Sequence, residues 1–513
     1  MKDSFKYYSF TFYFLILLIL FLFRFPTIFY HYADWDEASL MSEAWAMTQG
    51  QILYKDMYHI HPIFQFFIFI PFFKLFPNYL APHAIKIMNI LLIFTGSIMI
   101  KNLVEKFIND KLTSWLSAIL FTFFLSYFKW TYSSHGEFYT LFPILIAANL
   151  IFSDKPGKPY KIIITGLFCG IAIFIKQVAL FDTIPLFICA LLFNKNSNIK
   201  KNLSNFIIGL CLATLLAFIY PIINGTVQES IQSMFFHNIK SYTSSPKNII
   251  SYLKIPSLFL RTLFLSKIFV QTVFNNYLMY IFGGISLIFS IVFIPLKIFK
   301  EKSKESRRYL NLLTISIIWF FSILFGLSII GRFYSHYFIQ VATPASIILV
   351  LLIHNIPRKL RIIYISTLLI TFLFLGYNHF TVEKQNNNFL PEQVKKAINV
   401  ATYIKENSNK NDTIFLFKVL DLNLFYLSER LSCNGIYMFY DMDSSHTRDA
   451  VAEQKNKDKI LKNPPSILIT GPLPTNSNST LNLFFQRLID HKYTLKKKLY
   501  DLDIFFLKKT FKY

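Results

Sequence analysis

The chain has 513 residues, of which 54% are hydrophobic and only 16% are charged, and this composition excludes an ordinary soluble globular protein. It indicates a polytopic membrane protein instead. The formal net charge of +24 does not require a nucleic-acid partner, because basic residues that set membrane topology and attract anionic lipid account for it.

The first predicted element is a membrane-spanning helix over 9–28. It is too long for the hydrophobic region of a cleaved signal peptide, and no small-residue cleavage site follows it. A first outer loop, about 31–83, begins with the acidic cluster Asp34, Asp36 and Glu37. Ionised carboxylates beside hydrocarbon are costly to maintain, so this cluster is the first candidate functional site.

The segment 62–77 is apolar but only about 15 residues long, is interrupted by Pro71 and carries Lys74. We predict that it lies in the membrane interface and does not cross the bilayer. With that assignment and a cytoplasmic N-terminus, the Lys/Arg-rich loops all fall in the cytoplasm, namely 104–111, 153–161, 194–202, 297–308 and 354–361. Counting 62–77 as a span would place them outside, against the positive-inside rule.

Further apolar runs are long enough to cross the bilayer, which brings the prediction to about eleven spans. They lie at 84–104, 112–131, 138–153, 161–177, 178–194, 204–223, 275–298, 309–330, 337–354 and 361–379. An odd number of spans places the tail that follows them outside the cytoplasm. We therefore predict a multi-pass protein located in the cytoplasmic (inner) membrane.

The tail, 381–513, is predicted to be a soluble α/β domain after a membrane domain over 1–380. Its predicted helices are 391–407, 422–430, 448–462 and 480–490, and its predicted strands are 413–419, 436–440, 466–470 and a pair within 493–508. Neither GxGxxG nor GxxxxGK occurs in the chain, so a nucleotide site on a glycine-rich loop is unsupported.

Two interpretations compete for the carboxylates of the first loop. Asp34 and Glu37 have the spacing of a capping box, so Asp34 is expected to cap a helix. Asp36 is predicted to be catalytic. The alternative is a solvated helix face, because Asp36, Ser39 and Glu43 share one polar stripe at i, i+3 and i+7. Asp34-x-Asp36 is also spaced like a metal-binding pair, to which His59 and His61 could add nitrogen ligands. Such spacings are weak signals, so no metal or other cofactor is predicted, and a divalent ion is left open.

Polar residues at the outer ends of later spans converge with this loop. They are His135 and Glu137 in the second outer loop, Lys176 at the end of the fifth span, and Arg332, Tyr334, His336 and Tyr337 in the turn between the ninth and tenth spans. Carboxylates and cations together suit a site that deprotonates a hydroxyl and stabilises a departing phosphate. The alternatives are snorkelling for the two cations and an interfacial aromatic belt for His336 and Tyr337.

Several motifs occur together along the whole chain. They are Asp36-Glu37 followed by Gly50-x-x-x-Tyr54, the proline-led segment from Pro62, Glu137, Lys176, the turn Arg332–Tyr337, and the domain after the last span. In this combination the chain resembles the GT-C membrane glycosyltransferases. The branch it resembles is the family 39-like one, with the protein O-mannosyltransferases and the lipid A aminoarabinose transferase.

Members of that family transfer a sugar from a polyprenyl-phosphate carrier on the outer face of the membrane. The resemblance implies an inverting glycosyltransferase with a GT-C-like fold, acting on an acceptor hydroxyl of an envelope glycan, lipid or protein. It implies that Asp36 is the base, that Lys176 and Arg332 bind the lipid phosphate, and that Glu137 orients the sugar or acceptor. Substrate binding is also expected of Glu37, Tyr54, His59, His61, Tyr334, His336 and Tyr337.

The sequence departs from the family pattern in two places. His61 stands where relatives often have Lys, and Glu137 stands where many have Asp, so the identity of the sugar stays open. A transporter or flippase of lipid-linked sugars is the main alternative function. It would place ionisable residues at mid-span or broken helices in repeated halves, and neither pattern is found. A non-catalytic envelope assembly protein would keep the topology without needing Asp36, Lys176 and Arg332 together.

Overall fold

A computed structural model describes residues 2–152, 158–192, 198–237, 304–330, 335–385, 391–438, 450–472 and 480–508. Most of these residues are helical. The long helices are α1 (Lys2–Arg24), α5 (Ala81–Glu105), α6 (Lys111–Tyr127), α7 (Gly136–Ile151), α8 (Pro159–Ile175), α9 (Leu180–Leu192), α10 (Ile199–Ile223), α12 (Lys304–Ile330), α13 (Ala342–His354) and α14 (Arg358–Gln385). Shorter helices in the loops are α2 (Trp35–Thr48), α3 (Phe64–Phe67), α4 (Ile70–Leu75) and α11 (Val227–Ile231).

Each predicted span coincides with one of these helices except 275–298, which lies outside the described residues. By length and composition, 5 described helices could cross a membrane, and further apolar helical stretches, among them Ser9–Arg24 of α1, have 10–17 residues. The multi-pass character is therefore confirmed, whereas the total of eleven spans stays a prediction. The described helices that could span are Ala81–Glu105, Ile199–Ile223, Ser306–Leu327, His336–His354 and Lys359–Gln385.

Helices α8 and α10 approach each other closely through small residues. A Cβ added at Gly166 would lie 2.2 Å from the Phe206 carbonyl oxygen, and one at Gly209 would lie 2.1 Å from the Ile163 oxygen. Without a hydrophobic driving force between helices in lipid, small residues allow the backbones to gain van der Waals contact. This packing fixes α8 against α10, and Lys176 follows directly after the end of α8.

The segment 62–77 forms the short helices α3 and α4, of 4 and 6 residues. Pro71 occupies the first turn of α4, where its missing N–H costs nothing. At about 1.5 Å per residue neither helix could cross a bilayer, which agrees with the predicted non-spanning segment.

The C-terminal part contains a four-stranded sheet with the strand order β1-β2-β4-β3. Its strands are β1 (Ile414–Phe417), β2 (Ile467–Thr470), β3 (Tyr493–Leu499) and β4 (Leu502–Leu507), and its helices are α15 (Glu392–Asn407), α16 (Leu424–Ser428), α17 (Ala450–Lys462) and α18 (Thr480–Lys492). Strands β1 and β2 are parallel, while β4 runs antiparallel to both β2 and β3. Both β1 and β2 are buried along their whole length, as their continuous apolar sequences require.

The predicted strand 436–440 is wrong over its described part, 436–438, which is an irregular segment docked on the first loop. Gly435 adopts a φ of 73°, and a Cβ there would lie 1.7 Å from the Asp56 carbonyl oxygen. The Tyr437 hydroxyl donates to Gln51 Oε1 at 2.6 Å. Contact with another part of the chain therefore replaces the strand pairing that the apolar sequence favoured.

The domain also contacts α2 and the residues that precede it. Ser42 Oγ donates to the Leu422 carbonyl oxygen at 2.7 Å, and the Tyr32 hydroxyl donates to Asp421 Oδ1 at 2.5 Å. The domain and the acidic first loop therefore lie on the same side of the membrane domain.

Candidate active site

Asp34 caps helix α2, as its spacing predicted. Its Oδ1 accepts the Glu37 N–H at 2.9 Å, which satisfies one of the free donors of the first turn. Its Oδ2 forms an ion pair with His135 Nε2 at 2.6 Å. Burial alone would lower the pKa of His135, but Asp34, Glu137 and Asp36 outweigh it and raise that pKa to about 9. His135 is therefore cationic at neutral pH.

Asp36 differs from its neighbours because it makes no hydrogen bond or ion pair with any described residue. Burial is the main reason that its pKa is raised above the usual Asp value, and Asp34 and Glu137 add to this. His135 and Lys176 pull the same pKa down, since both carry positive charge nearby. Asp36 is thus a half-buried carboxylate with an increased proton affinity and with no partner among the described residues.

Glu37 is fully buried, and both of its oxygens are engaged. Oε1 accepts from Lys86 Nζ and from the Ser134 N–H at 2.9 Å, and Oε2 accepts from the Ala33 N–H at 2.7 Å. Lys86 Nζ also donates to the Tyr132 carbonyl oxygen at 2.7 Å. Glu37 therefore ties the start of α2 to α5 and to the second outer loop.

The two histidines of the first loop are neighbours, with ring centroids 4.7 Å apart. His59 Nδ1 lies 2.9 Å from the buried Glu43 carboxylate, which also accepts from Ser39 Oγ at 3.0 Å. The polar positions Ser39 and Glu43 thus face the protein and not the solvent. The contact between Glu43 and His59 therefore holds the His59 ring beside His61.

Lys176 links the first loop to the second. Its Nζ lies 3.2 Å from His61 Nε2 and 3.6 Å from Glu137 Oε1. Because an ammonium group only donates, His61 Nε2 must accept. Burial, with the positive charge of Lys176 next, holds the pKa of His61 well below its usual value. Glu137 is completely buried, yet neither of its oxygens has a hydrogen-bond partner among the described residues.

His336 and Tyr337 join the site from the turn before α13. The His336 ring stacks on His135 at a centroid distance of 4.2 Å and meets the Tyr337 ring edge-on at 4.6 Å. Asp36, His135 and His336 each place one potential ligand atom within 4.8 Å of the others. One carboxylate and two imidazoles could hold a divalent transition metal. This set differs from the Asp34, Asp36, His59 and His61 set suggested by spacing.

The remaining predicted site residues fall in two groups. Tyr54 is buried with a φ of 69°, and its hydroxyl donates to the His61 carbonyl oxygen at 2.7 Å, so it supports the loop that carries His61. Arg332 and Tyr334 lie outside the described residues. Their roles remain predictions from the sequence.

Sequence reasoning missed two buried residues, Lys86 and Gln65. A signal existed for Lys86, since a lysine within an apolar span is expensive and usually paired. Gln65 is an amide in an otherwise apolar segment and is only 1% exposed. A single polar residue in a short apolar run gives no indication of the direction in which it faces.

No known protein-family profile and no curated protein sequence matches the chain. Solved structures do match it. The crystal structure of ArnT from Cupriavidus metallidurans bound to undecaprenyl phosphate superposes with a TM-score of 0.62 at 11% identity, over 96% of this chain and 97% of that chain. The apo state of the same protein gives 0.63 at 10% identity, over 96% of each chain. The chain has the ArnT fold.

The ArnT-like fold confirms the architecture that the resemblance implied, a GT-C-like helical membrane domain followed by a small domain with a sheet. The match covers nearly the whole chain, so it includes both the first loop and the C-terminal domain. At such low identity the likeness concerns the fold, and the chemistry has to be argued from the side chains.

Proposed function

We propose that this protein is an inverting glycosyltransferase of the cytoplasmic membrane that uses a polyprenyl-phosphate-linked sugar. The observation that carries the proposal is the carboxylate of Asp36, which has no hydrogen-bond or ion-pair partner among the described residues and lies within electrostatic reach of Lys176, His135 and Glu137. The ArnT-like fold supports the class of donor, since one ArnT structure contains undecaprenyl phosphate.

In the proposed reaction Asp36 removes the proton from an acceptor hydroxyl. The acceptor oxygen forms a bond to the anomeric carbon of the sugar, and the bond from that carbon to the phosphate oxygen breaks. The electron pair stays on the carrier phosphate, which leaves as an anion. A positioned general base contributes about 10² to 10⁴ in rate. A carboxylate with a raised pKa suits this role because it holds the transferred proton better than an ordinary Asp.

Lys176 is the described cation that we assign to the leaving phosphate, together with Arg332 from the sequence. Its ammonium group is shared between His61 and Glu137 at 3.2 and 3.6 Å, so no short, charge-assisted bond has to be broken when a phosphate binds. Fixed cations in a site with little water stabilise a departing anion more strongly than they would in bulk water.

His135 and Glu37 act indirectly in this proposal. His135 pairs with Asp34, two residues before Asp36, and Glu37, the residue after Asp36, pairs with Lys86. Both pairs hold the backbone next to Asp36 in place. We assign the active site and the C-terminal domain to the outer face, because the Lys/Arg-rich loops lie on the opposite side and are expected in the cytoplasm. The acceptor is an envelope glycan, lipid or protein hydroxyl.

The test is transfer of radiolabelled sugar from undecaprenyl-phosphate carriers by the purified protein in lipid nanodiscs, with a cell-envelope extract as acceptor. Wild-type protein should release undecaprenyl phosphate. Asp36→Asn should lose about 10² to 10⁴ in rate while staying folded and still binding the carrier.

Asp34→Asn is the matched control. It keeps the helix cap, because Asn and Asp cap about equally well, so the loss of activity should be much smaller. Full activity of Asp36→Asn would overturn the assignment of the base. Movement of intact carrier across the bilayer without cleavage of the sugar bond would favour the flippase alternative.

A further inference from the structure

Gln65 is buried beside the site, yet its side chain has no hydrogen-bond partner among the described residues. It lies on α3, is 1% exposed, and leaves both Nε2 and Oε1 unsatisfied. An unsatisfied buried polar group costs about 1–3 kcal/mol. The amide therefore has hydrogen-bonding capacity that the described residues leave unused and that water or a polar ligand could fill.

The first residue of α7 shows where the amide lies. A Cβ built on Gly136 would be 3.1 Å from Gln65 Nε2 and 3.1 Å from Lys176 Cδ. The Gln65 amide and the stem of Lys176 therefore lie against the same glycine. The next residue is Glu137, whose two oxygens are also buried without hydrogen-bond partners among the residues described.

Gln65, Glu137 and Lys176 are thus neighbours around Gly136, and the amide and the carboxylate among them have unused hydrogen-bonding capacity. The amide offers donors and an acceptor, and the carboxylate offers acceptors only. A hydroxyl both donates and accepts, so adjacent hydroxyl groups would match this set. The charges of Glu137 and Lys176 oppose one another at 3.6 Å. The two charges compensate one another, so the region has no surplus charge to offset the cost of burying a charged sugar.

We propose that Gln65 and Glu137 form a subsite that reads the hydroxyl groups of an uncharged sugar on the carrier. This inference rests on the proposed glycosyltransferase function and adds the class of sugar and a residue that selects it. Gln65 donates an N–H to one sugar oxygen, and Glu137 accepts a hydrogen bond from a neighbouring hydroxyl. Carriers with an amino sugar or a sugar acid are disfavoured.

The experiment measures the affinity of purified protein in nanodiscs for three probes. They are undecaprenyl phosphate, undecaprenyl phosphate-glucose and undecaprenyl phosphate-glucosamine. Gln65→Met has a similar length and no hydrogen-bonding amide. It should weaken binding of the glucose carrier about tenfold and leave binding of bare undecaprenyl phosphate unchanged.

Gln65→Glu is the second variant, because it keeps the shape and adds a negative charge. It should shift the preference from the glucose carrier toward the glucosamine carrier, which a purely structural role of Gln65 would not do. Equal weakening for bare and glycosylated carriers in Gln65→Met would overturn the subsite, since Gln65 would then contact phosphate. Unchanged affinities in both variants would also overturn it.

The two proposals fail in different ways. If the wild-type protein binds none of the three carriers, the glycosyltransferase proposal fails and the subsite fails with it. If the wild type binds the carrier and transfers the sugar, but Gln65→Met has the same preference among the three carriers as the wild type, only the subsite proposal is wrong. Melting temperatures of all variants, measured in the same nanodiscs, identify any variant whose loss of binding reflects unfolding.

Discussion

Two buried lysine–glutamate pairs lie close together in this protein, and they are built in opposite ways. In the pair Lys86–Glu37 the carboxylate also accepts two backbone N–H groups and the ammonium also donates to a backbone carbonyl. In the pair Lys176–Glu137 the charges are 3.6 Å apart, and neither carboxylate oxygen has a hydrogen-bond partner among the described residues. The first pair is closed and the second is open.

The difference indicates which pair serves the fold and which serves a ligand. A buried charge is tolerated when its hydrogen-bonding capacity is filled, and this is the arrangement of Glu37. The unsatisfied hydrogen-bonding groups around Glu137, Lys176 and Gln65 reduce the stability of the fold. Such groups are expected where a ligand can satisfy them. Burial alone would not separate the pairs, because both carboxylate side chains are 0% exposed.

The largest expected effect is on stability, from Lys86→Met in the closed pair. It leaves Glu37 buried without its counter-charge and should reduce the unfolding free energy by about 3–5 kcal/mol. Thermal unfolding in detergent measures this. The double variant Lys86→Met with Glu37→Gln should recover part of the loss, since a neutral amide replaces the orphaned charge. If Lys86→Met is as stable as the wild type, the Lys86–Glu37 pair does not stabilise the fold, and the proposed difference in role between the two pairs is wrong.

The corresponding change in the open pair, Lys176→Met, should affect binding more than stability. Losing one charge-assisted contact to the carrier phosphate should weaken donor affinity about tenfold to hundredfold. The melting temperature should fall less than in Lys86→Met, because Lys176 lies 3.6 Å from Glu137 and forms no short hydrogen bond with it. Titration of undecaprenyl phosphate into each variant checks this. A fall in melting temperature equal to that of Lys86→Met would show that Lys176 is structural.

A smaller effect is expected from pH through the His135–Asp34 pair. The pKa of His135 is raised from 6.5 to about 9 in the folded protein, so the stabilisation is complete below 6.5 and is lost as pH rises through 9. The melting temperature should therefore decrease across that interval. Asp34→Asn, which keeps the cap but removes the charge, should flatten the decrease. An unaltered pH profile in Asp34→Asn would contradict the assignment of the pair.

The smallest expected effect is from metal removal. If Asp36 acts as a base without a metal, treatment with EDTA should leave the rate of sugar transfer unchanged. Loss of activity that Zn²⁺ restores would instead make Asp36, His135 and His336 ligands of a catalytic ion. The structure brings those side chains close enough for either chemistry, so transfer assays with and without chelator decide between them.

The sequence was sufficient to predict features that depend on neighbouring residues along the chain. Apolar runs located the spanning helices, the Asp34 and Glu37 spacing predicted a helix start, and Pro71 marked a broken segment. Most elements of the C-terminal domain were also predicted, because helix and strand periodicities are local. The strand expected at 436–440 failed in its described part, where docking on the first loop replaced sheet pairing.

Long-range packing decided the rest. Residue types alone could identify Asp36, Lys176 and Glu137 as candidates, and they could not separate Glu37 from Glu137. That distinction depends on Lys86 and the Ser134 N–H reaching one carboxylate and leaving the other open, which helix packing determines. Gln65 was invisible for the same reason: the direction of one amide in an apolar segment depends on Gly136, distant in sequence, which leaves room for it.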